Sequence, residues 1–296
     1  MNFQRYLSAK RTVDDRALNR RVEGRLAAEL SGRESLCAFE VGCGIGTTIE
    51  RLLTEAWLPD EVRYTAIDRR EANVAIARKR LPERAAAQGY AVGERDEKLV
   101  FSRGKRQVSV EFVVGDAFDV LAESRAGSVD LVVAQSFADL VGPLDALGAF
   151  RNALASGGVA YLPLTFDGET AFEPVADREF ERRLVRTFHD HLDESGDSRA
   201  GRHLLSSVSE NGEVLAVGSS DWVVRPGKKK GKGGASVYPA DEAYFLHCIV
   251  SMVSGAVEKE GTVRSEQVEQ WRKERESQIS AGELVYVAHQ LDLLVR

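Results

Sequence analysis

"CAFEVGCGIGTTIERLL", residues 37 to 53, decides how the rest of the chain is read. A short apolar run, Ala38 to Val41, leads into glycines at alternate positions, Gly42, Gly44 and Gly46, and a helical pattern starts at Thr47. A strand, a glycine loop and a helix in that order bring bare backbone close to a ligand. A dinucleotide fingerprint needs a third glycine where Thr47 stands, and a triphosphate loop needs Gly-Lys-Ser/Thr after its spacer. Neither is present. The loop reads E-x-G-x-G-x-G, with Glu40 at the end of the strand. Like charges repel, so an acid there disfavours a pyrophosphate and suits a ligand with an ammonium group.

Working outward, strands alternate with helices. "VRYTAID", 62 to 68, is a β-rich run ending in an acid, and "REANVAIARKRL" after it is helical. "VSVEFVVGD", 108 to 116, is a second strand ending in an acid, and "VDLVVAQSF", 129 to 137, is apolar enough to be covered on both faces. Residues 144 to 158 read as a helix stopped by Gly157 and Gly158, and "VAYLPLTF" as the next strand. Upstream, Val13, Ala17, Leu18, Val22, Leu26 and Leu30 form one amphipathic stripe, which predicts a single helix over 12 to 30. This alternation predicts a parallel sheet in an α/β domain.

The 296 residues are 43% hydrophobic and 29% charged, the composition of a chain with a full-sized core. The net charge of −6 argues against a nucleic-acid partner, which a basic excess would serve. Cys37, Cys43 and Cys248 are dispersed without a C-x-x-C pair, so neither a metal site nor a disulfide framework is expected, and a reducing compartment fits. No signal-like or membrane-length apolar run occurs, and a cytoplasmic protein is expected.

With these motifs in register, the chain resembles the class I S-adenosylmethionine-dependent methyltransferases over residues 36 to 165. The resemblance implies S-adenosyl-L-methionine as cofactor and assigns roles by position. Glu40, Gly42, Cys43, Gly44 and Gly46 would surround its methionine moiety. Asp68, with Arg69 beside it, would accept the ribose hydroxyls, and Asp116 and Ala117 would meet the adenine. Gln135 would face the methyl group. Asp116 read alone is also an ordinary helix N-cap. The resemblance also has a negative side. Enzymes of this fold that methylate base amines carry Asn/Asp/Ser-Pro-Pro-Tyr/Phe after the fourth strand, whereas this chain has Gln135-Ser136-Phe137-Ala138.

The acceptor pocket is expected in the second half. "RTFHDHLDESGDSRAGRHLL" concentrates His189, His191, Arg199 and Arg202. "GSSDWVV" supplies Asp221 and Trp222, "YPADEAYFLH" supplies Tyr244, and His289 falls within an apolar strand. His191 and Asp221 are the expected catalytic pair, because histidine can take a proton near neutral pH. His189, Arg199, Arg202, Trp222, Tyr244 and His289 are the expected substrate contacts. His289 reads more readily as a satisfied core histidine than as a base, and the run Lys228 to Lys232 as a flexible loop able to close over an anionic substrate.

The resulting expectation is a Rossmann-like, seven-stranded, mostly parallel sheet with helices on both faces, in one domain over 1–296. It comprises an N-terminal helical segment over 1–34, a cofactor core over 36–165, and helical insertions over 166–212 and 225–282 capping the acceptor site. The last two strands are expected near 213–224 and 283–295. The expected activity is methyl transfer to an oxygen or nitrogen of a small polar metabolite, by a monomer or homodimer. Methylation of RNA or protein, and cofactor binding without turnover, stay open as alternatives.

Overall fold

A computed structural model of the chain describes residues 1–228 and 237–296. The lysine run at 228 to 232 lies, apart from its first residue, outside the described residues. Two helices open the chain, α1 (Phe3–Ala17) and α2 (Arg20–Leu30), where one was expected. The backbone turns extended at Leu18, and the Asn19 side chain caps α2 by accepting from the Arg21 and Val22 amides. The core follows as β1 (Ser35–Val41), α3 (Thr47–Leu52), β2 (Glu61–Asp68), α4 (Glu71–Ala87), β3 (Ala91–Arg95), β4 (Lys98–Arg103), β5 (Arg106–Val114), α5 (Ala117–Glu123) and β6 (Val129–Val133).

Helix α6 (Pro143–Ala153) stops before the glycines predicted to end it. Gly157 and Gly158 instead lie in β7 (Leu154–Glu173), whose pairing with β6 shifts register between Val129 and Leu131. The chain closes with α7 (Arg178–Leu192), α8 (Ala200–Asn211), β8 (Val214–Ser219), β9 (Trp222–Val224), α9 (Glu242–Glu260), α10 (Ser265–Ala281) and β10 (Val285–Val295).

The described strands form one sheet in the order β3-β4-β5-β2-β1-β6-β7-β10-β8, with β9 also on β10. The central pairs β5–β2, β2–β1, β1–β6 and β6–β7 are parallel, and every pair made by β10 is antiparallel. The Rossmann-like sheet with its parallel centre is therefore present, but with ten strands instead of seven. The additional ones are the β3–β4 hairpin and β9, which is split from β8 at Ser220 and Asp221.

Helices cover both faces. Leu26, Leu30, Ile49 and Leu81 of α2, α3 and α4 bury against one side, and Leu121, Phe150 and Leu204 of α5, α6 and α8 against the other. A third apolar cluster joins α1, α7, α9 and α10 to the far ends of β7 and β10 through Tyr6, Leu184, Phe245, Trp271, Phe172 and Tyr286. No helix among the described residues is long and apolar enough to cross a membrane.

Candidate functional site

At the carboxyl ends of β1, β2, β5 and β6 a cleft of about 350 Å³ opens, of a size suited to one small-molecule ligand. Glu40, Asp68 and Asp116, from three different strand ends, all line it together with the glycine loop. Gly42 and Gly44 hold positive φ (68° and 53°), so the loop presents backbone to the cleft without a side chain. A Cβ on Gly42 would stand 2.9 Å from the Phe137 ring, which leaves no room for substitution. Gly46 is different. It is not among the lining residues, and a Cβ there would meet Leu81 of α4 at 3.0 Å. Its bareness lets α3 pack on α4.

The carboxylates are held by distinct means. Asp68 accepts from the amides of Gly44 and Arg70, each at 2.8 Å, and from Asn73 Nδ2 at 3.1 Å. These bonds fix the plane of its carboxylate. Asp116 caps α5 by accepting from the Phe118 amide at 2.9 Å, and Arg69 stands 3.7 Å from its other oxygen. The N-cap reading and the cleft position hold together. Glu40 is fully desolvated, and burial pushes its carboxyl up to about 7, against hydrogen bonds from Thr48 and Tyr64. Burial likewise raises the Cys43 thiol well above its ordinary value, so this cysteine is a small neutral wall residue. Ala117, Phe118, Gln135 and Phe137 complete the wall.

Helix α1 roofs the cleft with Phe3, Leu7, Lys10 and Asp14, which share one face of the helix. It is tied down on both sides. Arg11 pairs with Glu50 and Asp15 with Arg51, both at 3.0 Å, while Arg16 and Thr12 reach the buried Glu242 of α9. Lys10 Nζ donates to Asp14 Oδ2 at 2.9 Å and to Ser136 Oγ at 3.1 Å. Ser136, just beyond β6, adopts φ 47°, a strained backbone for a residue with a side chain. Gln135 Nε2 donates to the same Asp14 oxygen, and Gln135 Oε1 accepts from Thr48 and Arg51. Lys10, Asp14 and Thr48 escaped the sequence reading, because nothing in a helical pattern marks which polar residues will be covered.

The expected acceptor residues stand elsewhere. All lining residues found for the cleft fall between 3 and 141. His191 bonds Glu260 at 2.7 Å, beside Glu194, and His189 bonds Thr170 Oγ1 at 3.0 Å with its ring against Phe166. Arg199 sits at the start of α8, and Tyr244 stacks under Arg5. His289, Asp221 and Arg202 are brought together: His289 reaches Asp221 at 2.7 Å and Asp167 at 3.7 Å, and Arg202 holds Asp167 at 3.0 Å. Trp222 reaches a cleft residue, donating from Nε1 to Asp14 Oδ1 at 2.9 Å.

Residues 39–162 match the family model described as a methyltransferase domain. No curated protein matches the chain. Similar solved structures include a candidate type II methyltransferase from Anaeromyxobacter dehalogenans, 16% identical over 93% of this chain and 94% of that one, with a TM-score of 0.49. Another is a SAM-dependent methyltransferase from Thiobacillus denitrificans in complex with S-adenosyl-L-homocysteine (12%, 95% and 92%, 0.46). A third is a geranyl diphosphate C-methyltransferase from Streptomyces coelicolor (11%, 93% and 74%, 0.45). These likenesses are distant, and the family match is what carries the assignment. It spans the glycine loop, both acid-tipped strands and the strand ending before Gln135. Residues 39–162 form a methyltransferase domain, and that match supports an S-adenosylmethionine-dependent methyltransferase.

Proposed function

We propose that the cleft binds S-adenosylmethionine and that the enzyme moves its methyl group to an oxygen or nitrogen of a small polar metabolite. In this reading Glu40 and the backbone of Gly42, Cys43 and Gly44 face the amino-acid tail. Asp68 accepts from the ribose diol, for which two carboxylate oxygens match two hydroxyl donors. Asp116 and Ala117 receive the adenine, and Gln135 stands at the methyl-bearing end. The observation that carries the reading is that Glu40, Asp68 and Asp116 line one cleft with the glycine loop.

The cofactor supplies a methyl group on a sulfonium. The protein's share is to hold the acceptor in line with the departing sulfur and to keep water out. The α1 roof serves the second task, with Phe3 and Leu7 closing over the loop. Support for a small acceptor comes from the limited cavity and from the net charge of −6, which offers no attraction for a polyanion. The acceptor end of the cleft is assigned to Phe3 and Leu7 of α1 with Phe137, Leu140 and Val141 after β6, and not to α7 and β10.

The test is incubation of the purified protein with labelled cofactor and a fractionated metabolite extract. Label is expected in a small-molecule fraction. Label only in RNA or protein would replace the acceptor class, and failure to bind S-adenosylhomocysteine would remove the cofactor reading.

A further inference from the structure

Lys10 is 6% exposed and Asp14 3%, one helical turn apart on α1, and both line the cleft. Their contact with each other does not exhaust either group. An ammonium has three N–H donors, and among the described residues Lys10 uses one on Asp14 and one on Ser136. An ionised carboxylate offers about four lone-pair positions. Asp14 fills three, with Lys10, Gln135 and Trp222. One donor remains on Lys10, whose ammonium also lies 4.9 Å from the Trp222 ring centroid, and one acceptor position remains on Asp14 Oδ1, both on charges largely held away from water. Desolvated charges are costly unless their partners are complete, so the pair suits a ligand that brings one anionic acceptor and one cationic donor.

The other cations of the cleft do not meet this description. Arg69 and Arg70 are exposed, one beside Asp116 and the other over the Phe3 ring. The adenosine part of the cofactor carries no formal charge, whereas its amino-acid tail carries a carboxylate and an ammonium on one carbon. We propose that Lys10 and Asp14 form the clamp for that tail. Lys10 donates to the α-carboxylate, and Asp14 fixes Lys10 in place and accepts from the α-ammonium beside Glu40. The inference rests on the cofactor reading above. It makes cofactor affinity depend on a helix that precedes the matched segment.

The test uses titration calorimetry with two ligands, S-adenosylhomocysteine and 5′-methylthioadenosine, which keeps the nucleoside and the sulfur but has no amino-acid tail. Wild-type protein is expected to prefer the first. Lys10→Met should weaken S-adenosylhomocysteine about 10- to 100-fold, the range of a charge-assisted hydrogen bond, with methylthioadenosine changing less than about threefold. Lys10→Arg should restore part of the lost affinity, and Asp14→Asn should act in the same direction as Lys10→Met. Removing one buried charge strands the other, so a Lys10→Met/Asp14→Leu double variant carries the same comparison should the single variant not fold. Equal weakening of both ligands means a purely structural role and overturns the proposal, as does unchanged affinity for S-adenosylhomocysteine. Equal wild-type affinity for the two ligands overturns it as well. Wild-type protein that binds neither ligand overturns the cofactor reading itself, and the clamp with it.

Discussion

Trp222 Nε1 donates to Asp14 Oδ1 over 2.9 Å, and this bond joins strand β9 to the helix that roofs the cleft. Both residues are buried, with the Trp222 ring also edge-on to Phe245 and facing the Lys10 ammonium at 4.9 Å. Burial raises the Asp14 carboxyl above its ordinary value, while Lys10, Arg51 and Trp222 hold it down. Trp222→Phe keeps the apolar packing and deletes one donor. It should cost about 1–3 kcal/mol of stability, the range for orphaning a buried polar group. Urea unfolding reads the loss directly, and a variant as stable as wild type would mean that water replaces the indole N–H.

Asp68 has two duties that substitution can separate. Its carboxylate organises the Gly44 and Arg70 amides, and in the proposed function it also meets the ribose. Asp68→Ala should therefore weaken S-adenosylhomocysteine by at least about tenfold, corresponding to the ~1.5–3 kcal/mol of a hydrogen bond to a charged group. Asn73→Ala removes only the side-chain amide that donates to both carboxylate oxygens and should cost less affinity. Comparable losses in the two variants would indicate that Asp68 acts by shaping the loop.

The parts of this architecture visible in the sequence are those whose physics is local. Runs rich in apolar and β-branched residues that lead into an acid mark β1, β2 and β5, because alternate side chains of each strand are buried and the acid comes at or just beyond the strand end. The β3–β4 hairpin escaped for an equally local reason. Every residue of β3 is exposed, so it has no alternating pattern, and its two-residue turn is Asp96-Glu97, both at positive φ, where Asn-Gly would have announced it. The expected acceptor residues of the second half lie outside the cleft lining, and clustered histidines and arginines look alike in sequence whether they meet a ligand or one another. His289, Asp221, Asp167 and Arg202 satisfy one another. Lys10 and Asp14 were invisible because burial of a polar pair depends on what packs over it, here the Trp222 side chain and the residues after β6.

Gly46 sharpens that distinction. Sequence alone groups it with Gly42 and Gly44, yet its φ of 78° and the 3.0 Å approach of Leu81 serve the α3–α4 contact. Gly46→Ala should lower stability by about 1–3 kcal/mol through left-handed strain and crowding. At temperatures where it stays folded, S-adenosylhomocysteine affinity should remain within about threefold of wild type. Gly42→Ala should instead disturb binding, since its Cβ would meet Phe137 inside the cleft wall. The order of the two effects, read by melting and calorimetry on both variants, tests whether the third glycine belongs to the packing or to the ligand.

Glu40 offers the clearest pH signature. Its carboxyl is raised from 4.5 to about 7, chiefly by burial, with Tyr64 donating to Oε2 at 2.9 Å. A raised acid binds its proton more tightly in the folded state, so folded protein holds more protons than unfolded protein between those two values. Stability contributed by the protonated form is thus complete below about pH 4.5, falls as pH rises toward 7, and is flat above. The slope is about 1.4 kcal/mol per pH unit, or about 3 kcal/mol across the window. Glu40→Gln has no such proton and still offers Tyr64 an acceptor, so its stability relative to wild type should climb from pH 5 to 7 and then level off. Parallel stability curves for the two proteins would show that Glu40 titrates near its ordinary value. A ligand ammonium beside Glu40 favours the ionised form, so wild-type affinity for S-adenosylhomocysteine should also tighten over the same window, and Glu40→Gln should lose that dependence.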